Sequence, residues 1–519
     1  VRGVDVAEVS TPLRTDASLD AKRALGFPDS KRAMLTAWTP SVPGLWVPRV
    51  HAVTANNEIA ALLRRSLGPT PDSAETSRRP VLDAFKELRR VAGRYGGSRW
   101  SYRETAHSYT GALRRRYLEA ERSLMEDGPL SSSDYVLKAF LKAEKVRGGL
   151  LTKPRMIFPR SPRYNLHLAS WLKPFEHWLW GNLKSVGSSG VAPSRVVAKG
   201  LSPGRRANLI VRKFSAVPDC VVFEVDGKAF EAHCDVWQLL QEHTVYESAY
   251  PGDSGLKKTL NKQLRNFGFT RCGVRFARGG GRASGDFNTG MGNTMVMLCV
   301  VAGVMSTLGV PLWDSLVDGD NALLFLPRSV VSRVVENFHA TALEISGHEM
   351  VLERAVDFLE GVRFGQSAPV KTARGWTMVR DWKKVLSLGT SSHAHLREPL
   401  FAREFLQGVS LCELSLARDV PILGAWAESL RRATHDGSAV RLHPHRDYEY
   451  LGVDFDQVES ATYEPPSAVA RRSFCLAFGV EPEEQVCIEE MCLSLRGLDL
   501  SRVSWYDPLD FVPGDDLCS

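Results

Sequence analysis

Three carboxylate-bearing segments follow one another through the middle of the chain. Asp226-Gly-Lys-Ala-Phe-Glu231 follows the apolar run Cys220–Val225. Ser284-Gly-Asp-Phe-Asn-Thr289-Gly-Met-Gly-Asn293 comes next, and Asp318-Gly-Asp320-Asn321 lies between two further apolar runs. An aspartate at a strand end beside another at a hairpin tip sets hard carboxylate oxygens on rigid supports. That arrangement suits two divalent ions about 4 Å apart, clamping the attacking and leaving oxygens of a phosphoryl transfer. One such aspartate alone is more often a turn residue or cap. Three in this order, roughly 60 and 35 residues apart, favour the chemistry.

Positive charge is concentrated just upstream. Between Lys142 and Arg163 there are seven Lys or Arg and a single acid, Glu144. Such clustering neutralises triphosphate or nucleic-acid backbone, and arginine matches phosphate oxygens in a bidentate fork. Pro154, Pro159 and Pro162 make this a shaped loop rather than a solvated helix face.

The elements that must position these groups can be read coarsely. The Cys220–Val225 run reads as a buried strand ending at Asp226, and Leu316–Leu326 as two short strands joined by a tight turn. A helix is expected from about Asn288, others over Asn57–Leu67 and Tyr109–Leu124, with Asp134–Lys145 continuing in helical style. Gly279-Gly-Gly281 reads as a flexible connection. By strand alternation Phe230 should face the core, opposite Glu231. After Arg380 the pattern is mainly helical. Met295–Trp313 is long and apolar, yet Gly303, Ser306, Thr307, Gly309 and Pro311 dilute it, so a buried core helix is expected rather than a membrane span.

A chain of 519 residues, 44% hydrophobic and 24% charged, should form several lobes; a wholly disordered or collagen-like chain is excluded. Its net charge of +7 points to a polyanion only where the basic residues cluster. Nine scattered cysteines with no C-x-x-C pair fit a reducing compartment. The polar opening from Val1 leads us to expect no secretory leader. Gly514-Asp-Asp516 lies in a tail without flanking strands, Gly252-Asp-Ser254-Gly255 has no triad partners, and His435, His443 and His445 are a weak metal signal. With no P-loop, a fused helicase is not expected.

The three carboxylate segments resemble motifs A, B and C of viral RNA-dependent RNA polymerases. The basic block Lys142-Ala-Glu-Lys145, Lys153–Asn165 and Leu172–His177 resembles the motif F region of tombusvirus-like plus-strand RNA virus replicases. Lys199-Gly-Leu201, Phe364-Gly-Gln366, Gly375–Arg380 and Ala470–Phe474 extend the likeness to roughly residues 45–490. The resemblance implies an α+β right-hand polymerase with an antiparallel palm sheet and a helical thumb. It divides the chain into an N-terminal extension linking fingers and thumb (1–94), fingers with motif F (95–218), palm (219–250), a fingers insertion (251–282), palm again (283–370), and thumb with tail (371–519).

The same resemblance implies RNA-templated RNA synthesis with two Mg²⁺ or Mn²⁺ ions and primer-independent initiation. Asp226, Asp320 and Asn321 would hold metal. Arg155 would lie over the incoming nucleotide, with Lys142, Lys145 and Lys153 in support. Glu231, Ser284, Gly285, Thr289 and Asn293 would surround the nucleotide, and His348 is the candidate proton donor unless it is an ordinary surface histidine. Expected partners are single-stranded RNA template, duplex product, ribonucleoside triphosphates and membrane-recruiting proteins. The expected location is the host cytoplasm, at a membrane-associated complex reached through a partner. Two departures bear on activity: Gly319-Asp320-Asn321 replaces the usual Gly-Asp-Asp, and Glu231 stands where an aspartate is common. An inactive RNA-binding paralogue and a reverse transcriptase therefore stay open as alternatives. Glu231 could surround a ribose hydroxyl or pair with an arginine.

Overall fold

The Cys220–Val225 run is apolar at every position but one because both faces of its strand are covered. In the computed structural model, which describes residues 12–22, 32–147, 152–187, 190–437 and 440–511, the strand Cys220–Gly227 is interior to a four-stranded antiparallel sheet. The order is Asp314–Asp318, Asn321–Pro327, Cys220–Gly227, Met350–Val356. Val221, Phe223 and Val225 pack into a core with Met291, Met295 and Leu298. Cys220 and Val222 face the opposite layer with Leu209, Ile210 and Phe325. Alternate residues thus feed two cores, and the sequence loses the polar half of a one-sided strand.

The helix Thr289–Thr307 is apolar all round, which marks a helix enclosed by protein. Every residue from Met291 to Met305 is buried. Gly303 lies where a Cβ would come within 3.2 Å of Val81 and 3.0 Å of Ile345, so two neighbouring helices close on this point. Long and apolar enough to span a membrane, the helix is 83% buried, as expected of a core element. The turn before it is less loose than its glycines suggest. Gly280 N donates to Leu264 O at 2.9 Å and Gly281 N to Cys234 O at 2.8 Å, so the expected flexible connection is a fastened turn.

A second sheet runs Ala17–Asp20, Arg275–Gly279, Arg265–Thr270, Leu137–Leu141, Met156–Ile157, with one parallel pair between Leu137–Leu141 and Arg265–Thr270. The helical continuation expected over Asp134–Lys145 is absent. Leu137, Ala139 and Leu141 alternate inward with Lys138 and Phe140 outward. Good helix formers at 138–143 masked this period-two pattern, which tertiary pairing decides.

The expected helices appear at Ala55–Ala61, extended by a wider turn at Leu62–Ser66, and at Gly111–Glu126. After Arg380, helices Pro399–Leu416, Leu423–Thr434, Ala468–Phe478 and Pro482–Leu493 share a core around Leu406, Trp426 and Phe474. The strand Met34–Thr36 pairs with both Ser391–Ser392 and Ser504–Tyr506, tying the early chain to the late one. Gly514-Asp515-Asp516 lies outside the described residues. Among the described residues no cluster of three His, Cys, Asp or Glu forms a metal cage, so His435 and His445 gather none.

Candidate active site

Strand register sets the two aspartates. Val225 pairs with Ala322, so the next pair outward sets Asp226 opposite Asn321, with Asp320 one residue further in the turn. Adjacent strands lie about 4.8 Å apart, and Asp226, Asp320 and Asn321 are all exposed at this end of the sheet. Gly319, at φ +63°, supplies the left-handed residue that the two-residue turn needs. Two carboxylates and one neutral amide oxygen on rigid strand ends are hard donors. They fit a Mg²⁺-like ion that takes its remaining ligands from water and phosphate.

Glu231 does not continue the strand. Ala229 turns into left-handed backbone at φ +42°, and Phe230–His233 forms a 3₁₀ turn. Strand alternation therefore does not apply here, although Phe230 is buried as expected. The turn brings Glu231 to the helix Thr289–Thr307, where Asn293 Nδ2 donates to Glu231 Oε1 at 3.3 Å. Asn293 Oδ1 accepts from Arg282 Nε at 2.8 Å. Arg282 is fixed in turn by the buried Glu242, 2.6 Å away. Burial pushes the Glu231 carboxyl above its ordinary range; Arg282 opposes the rise and Asp320 adds to it.

The basic loop closes the site from above. Phe158 N donates to Ser284 O at 2.9 Å. A Cβ on Gly285 would lie 2.8 Å from Phe158 C and O, so only glycine permits this approach. A cavity of about 370 Å³ results, lined by Lys142, Arg155, Glu231, Arg282, Ser284 and Asp320. Arg155 is exposed and meets Glu144 at 3.2 Å, with Lys142 Nζ 3.6 Å from the same carboxylate. One acid is thus shared by two cations at the rim.

Asp320, Glu231 and Ser284 thus share one cavity with Lys142 and Arg155, while Asp226, Asn321 and Asn293 are not among its lining residues. Residues 40–497 match the family described as viral RNA dependent RNA polymerase. The chain belongs to that family. It is 31% identical to the RNA-directed RNA polymerase of carnation mottle virus over 430 residues, 80% of this chain and 54% of the relative. Against the RNA-directed RNA polymerase of tobacco necrosis virus (strain A) it is 28% identical over 481 residues, 89% of this chain and 64% of the relative. The corresponding protein of tomato bushy stunt virus (strain Cherry) is 30% identical over 456 residues, 86% and 52%. The chain spans about half to two thirds of the length of these three curated relatives.

Not every expected residue of this polymerase-family chain reaches the cavity. Lys145 turns away and donates from Nζ to Leu388 O at 2.9 Å. Burial lowers its pKa to about 8. Lys145 and Lys153 line a neighbouring hollow of about 860 Å³, which Arg155 shares. The Thr289 hydroxyl is engaged in its own turn, accepting from Gly285 N at 3.3 Å and donating to Asp286 O at 2.8 Å. His348 is not a surface histidine but a buried one. Its Nε2 lies 2.7 Å from Gln238 Oε1, its ring packs on Phe230, and burial lowers its pKa to about 3. Val351, not His348, lies opposite Asp226.

Other contributors carried no role in the sequence reading. Asp318 is gripped by Lys199 Nζ at 2.9 Å and Arg206 Nη2 at 2.8 Å. Burial alone would raise its pKa; these two cations overcome that and hold it below the usual carboxylate range. The hairpin is also fastened by Gly319 N donating to Thr294 Oγ1 at 2.9 Å. Beneath the glycine turn, Arg160 pairs with Asp286 in full burial. Arg282 and Arg160 flank the second carboxylate segment, and cations in otherwise buried stretches were the available signal.

Proposed function

We propose that this chain synthesises RNA on an RNA template, using a right-hand arrangement in which the four-stranded sheet is the palm. The boundaries expected from sequence serve as its division: fingers over 95–218 and 251–282, palm over 219–250 and 283–370, thumb from 371, and residues 1–94 as the linking extension. The observation that carries the reading is the strand register that sets Asp226 beside Asp320 and Asn321 near a cation-lined cavity. Two Mg²⁺ or Mn²⁺ ions, when bound, would activate a 3′-hydroxyl and neutralise departing pyrophosphate. Asp226, Asp320 and the Asn321 amide would hold them. Arg155 and Lys142 would cradle the triphosphate, with Lys153 and Lys145 along the approach. Positioning and electrostatics then supply most of the rate.

Ribose recognition falls to Glu231 and Asn293, with Ser284 at the cavity wall. Asn293 spends both ends of its amide on Glu231 and Arg282, so it fixes the carboxylate rather than turning freely. Glu231 keeps Oε2 to accept from a sugar hydroxyl. Primer-independent initiation is part of the proposal. It draws support from the half-buried pair His395 and Phe405, stacked at 4.8 Å, beside a hollow shared with Lys145 and Lys384. The test is incorporation of labelled nucleotides on single-stranded RNA, without primer, with each metal, and with rNTPs or dNTPs. Primer-free rNTP incorporation is expected. Preference for dNTPs would replace the reading with a reverse transcriptase, and RNA binding without synthesis would leave a non-catalytic RNA-binding paralogue.

A further inference from the structure

The outer face of the five-stranded sheet carries aromatics and cations that the proposed reaction does not use. Its inner face is core: Leu137, Ala139, Leu141, Phe276 and Met156 pack with Ile59 and Leu62. On the outer face Phe140 is 45% exposed, and Phe267 and Phe269 are 43% exposed each. Register arranges them with charge. Phe269 pairs with Arg275 on one side and with Lys138 on the other, giving a cation, an aromatic and a cation across three strands. Phe267 faces Ala277, and Arg265 continues the exposed row on the same strand. Small residues at Ser18, Gly268 and Ala277 leave an open hollow of about 440 Å³ around the two rings.

Among the described residues, Lys138, Arg265 and Arg275 have no carboxylate within ion-pair distance. The acids on this face are Asp20, exposed and opposite Arg275, and Asp16, which lies against Gly279 and is paired with Arg14 at 3.1 Å. Three cations interleaved with three exposed rings do not form a continuous apolar patch of the kind that seats a protein partner. They match unpaired bases, which stack on aromatic side chains while neighbouring cations meet the phosphates. Duplex RNA offers no free base faces to such a surface. Strand spacing of about 4.8 Å puts a cation close to either side of the Phe269 ring.

We propose that this sheet face is a docking surface for single-stranded RNA, separate from the Asp320 cavity. The choice of RNA over DNA rests on the polymerase reading; the stacking geometry does not. The test uses the full 519-residue chain, without nucleotides or metal, and a fluorescein-labelled adenosine-rich RNA of about 20 nucleotides. Anisotropy should show about tenfold weaker binding for Phe267→Leu with Phe269→Leu, whereas the paired Tyr substitutions stay within about twofold. Lys138→Gln with Arg275→Gln should flatten the dependence of log affinity on log salt by about 1.4, at about 0.7 per phosphate contact. Photo-crosslinks from 4-thiouridine RNA should map to 265–277.

Equal behaviour of the Leu and Tyr pairs, or crosslinks confined to other segments, would overturn the proposal. Self-association lost in the Leu pair with RNA affinity unchanged would give the face to a second copy, which overturns it as well. Nucleotide incorporation by the unaltered chain is read separately, so the docking surface and the polymerase reading fail independently.

Discussion

Asn293 holds Glu231. The amide donates to Glu231 Oε1 at 3.3 Å while its own oxygen accepts from Arg282 at 2.8 Å, so a three-residue chain fixes one carboxylate at the cavity wall. A site that hydrogen-bonds a hydroxyl rejects the analogue lacking it, because its polar groups are left unpaired. Preference for rNTPs over dNTPs should reach at least about a hundredfold. Asn293→Ala should erode it by about 1–3 kcal/mol, the scale of one lost hydrogen bond and its unpaired partner. Competition between matched rNTP and dNTP in single-nucleotide addition measures both. Equal use of the two sugars by the unaltered enzyme would sink the assignment.

Asp226 and Asp320 are exposed strand-end carboxylates whose proposed work is on the metal ions, whereas RNA affinity rests on the cationic surfaces. Asp226→Ala and Asp320→Ala should each reduce nucleotide addition below about one per cent while template affinity stays near that of the unaltered chain. Single-turnover extension beside a binding titration separates the two effects. Comparable losses in both would mean that the aspartates support the fold instead.

The sheet and its hairpin were legible because their sequence signals are local. An apolar run ended at Asp226, a glycine stood in the turn before Asp320, and Thr289–Thr307 was too uniformly apolar for a surface helix. Readings failed where packing between distant segments decided the outcome. Leu137–Leu141 is a strand because it pairs with Arg265–Thr270, more than a hundred residues away. Phe230–His233 leaves the strand because Ala229 turns left-handed. His348 is buried rather than at the surface because Phe230, His233 and Gln238 enclose it, and none of them is near it in sequence. The Lys199 and Arg206 grip on Asp318 was hidden for the same reason.

Asn321 stands one step beyond the Val225–Ala322 pair and, in the proposed metal site, would offer a neutral amide in place of the usual second aspartate of Gly-Asp-Asp. One oxygen without charge binds a hard divalent ion less firmly than a carboxylate. Synthesis should therefore favour Mn²⁺ over Mg²⁺, and Asn321→Asp should narrow that preference. Activity titrated against each ion for both proteins provides the check; superimposable curves would show that Asn321 is remote from the ions.

Asp318 is a structural anchor. Held at 2.9 Å by Lys199 and 2.8 Å by Arg206, it ties the Asp320 hairpin to the layer beneath it. Its side chain is 23% exposed, so solvent screens these pairs only in part. Asp318→Asn removes the charge but keeps the shape, leaving two cations less well satisfied, and should cost about 2 kcal/mol. The folded carboxyl titrates below its unfolded value, so its stabilisation is complete above the unfolded pKa of about 4 and is lost as pH falls through the lowered folded value. The unaltered chain and Asp318→Asn should therefore differ in thermal midpoint at pH 7 and converge as pH falls through that lowered value. The same substitution should lower synthesis while leaving the Mn²⁺-to-Mg²⁺ ratio unmoved, since Asp318 holds the hairpin and not the ions. A changed metal ratio, or a midpoint difference that persists at low pH, would contradict the anchoring role.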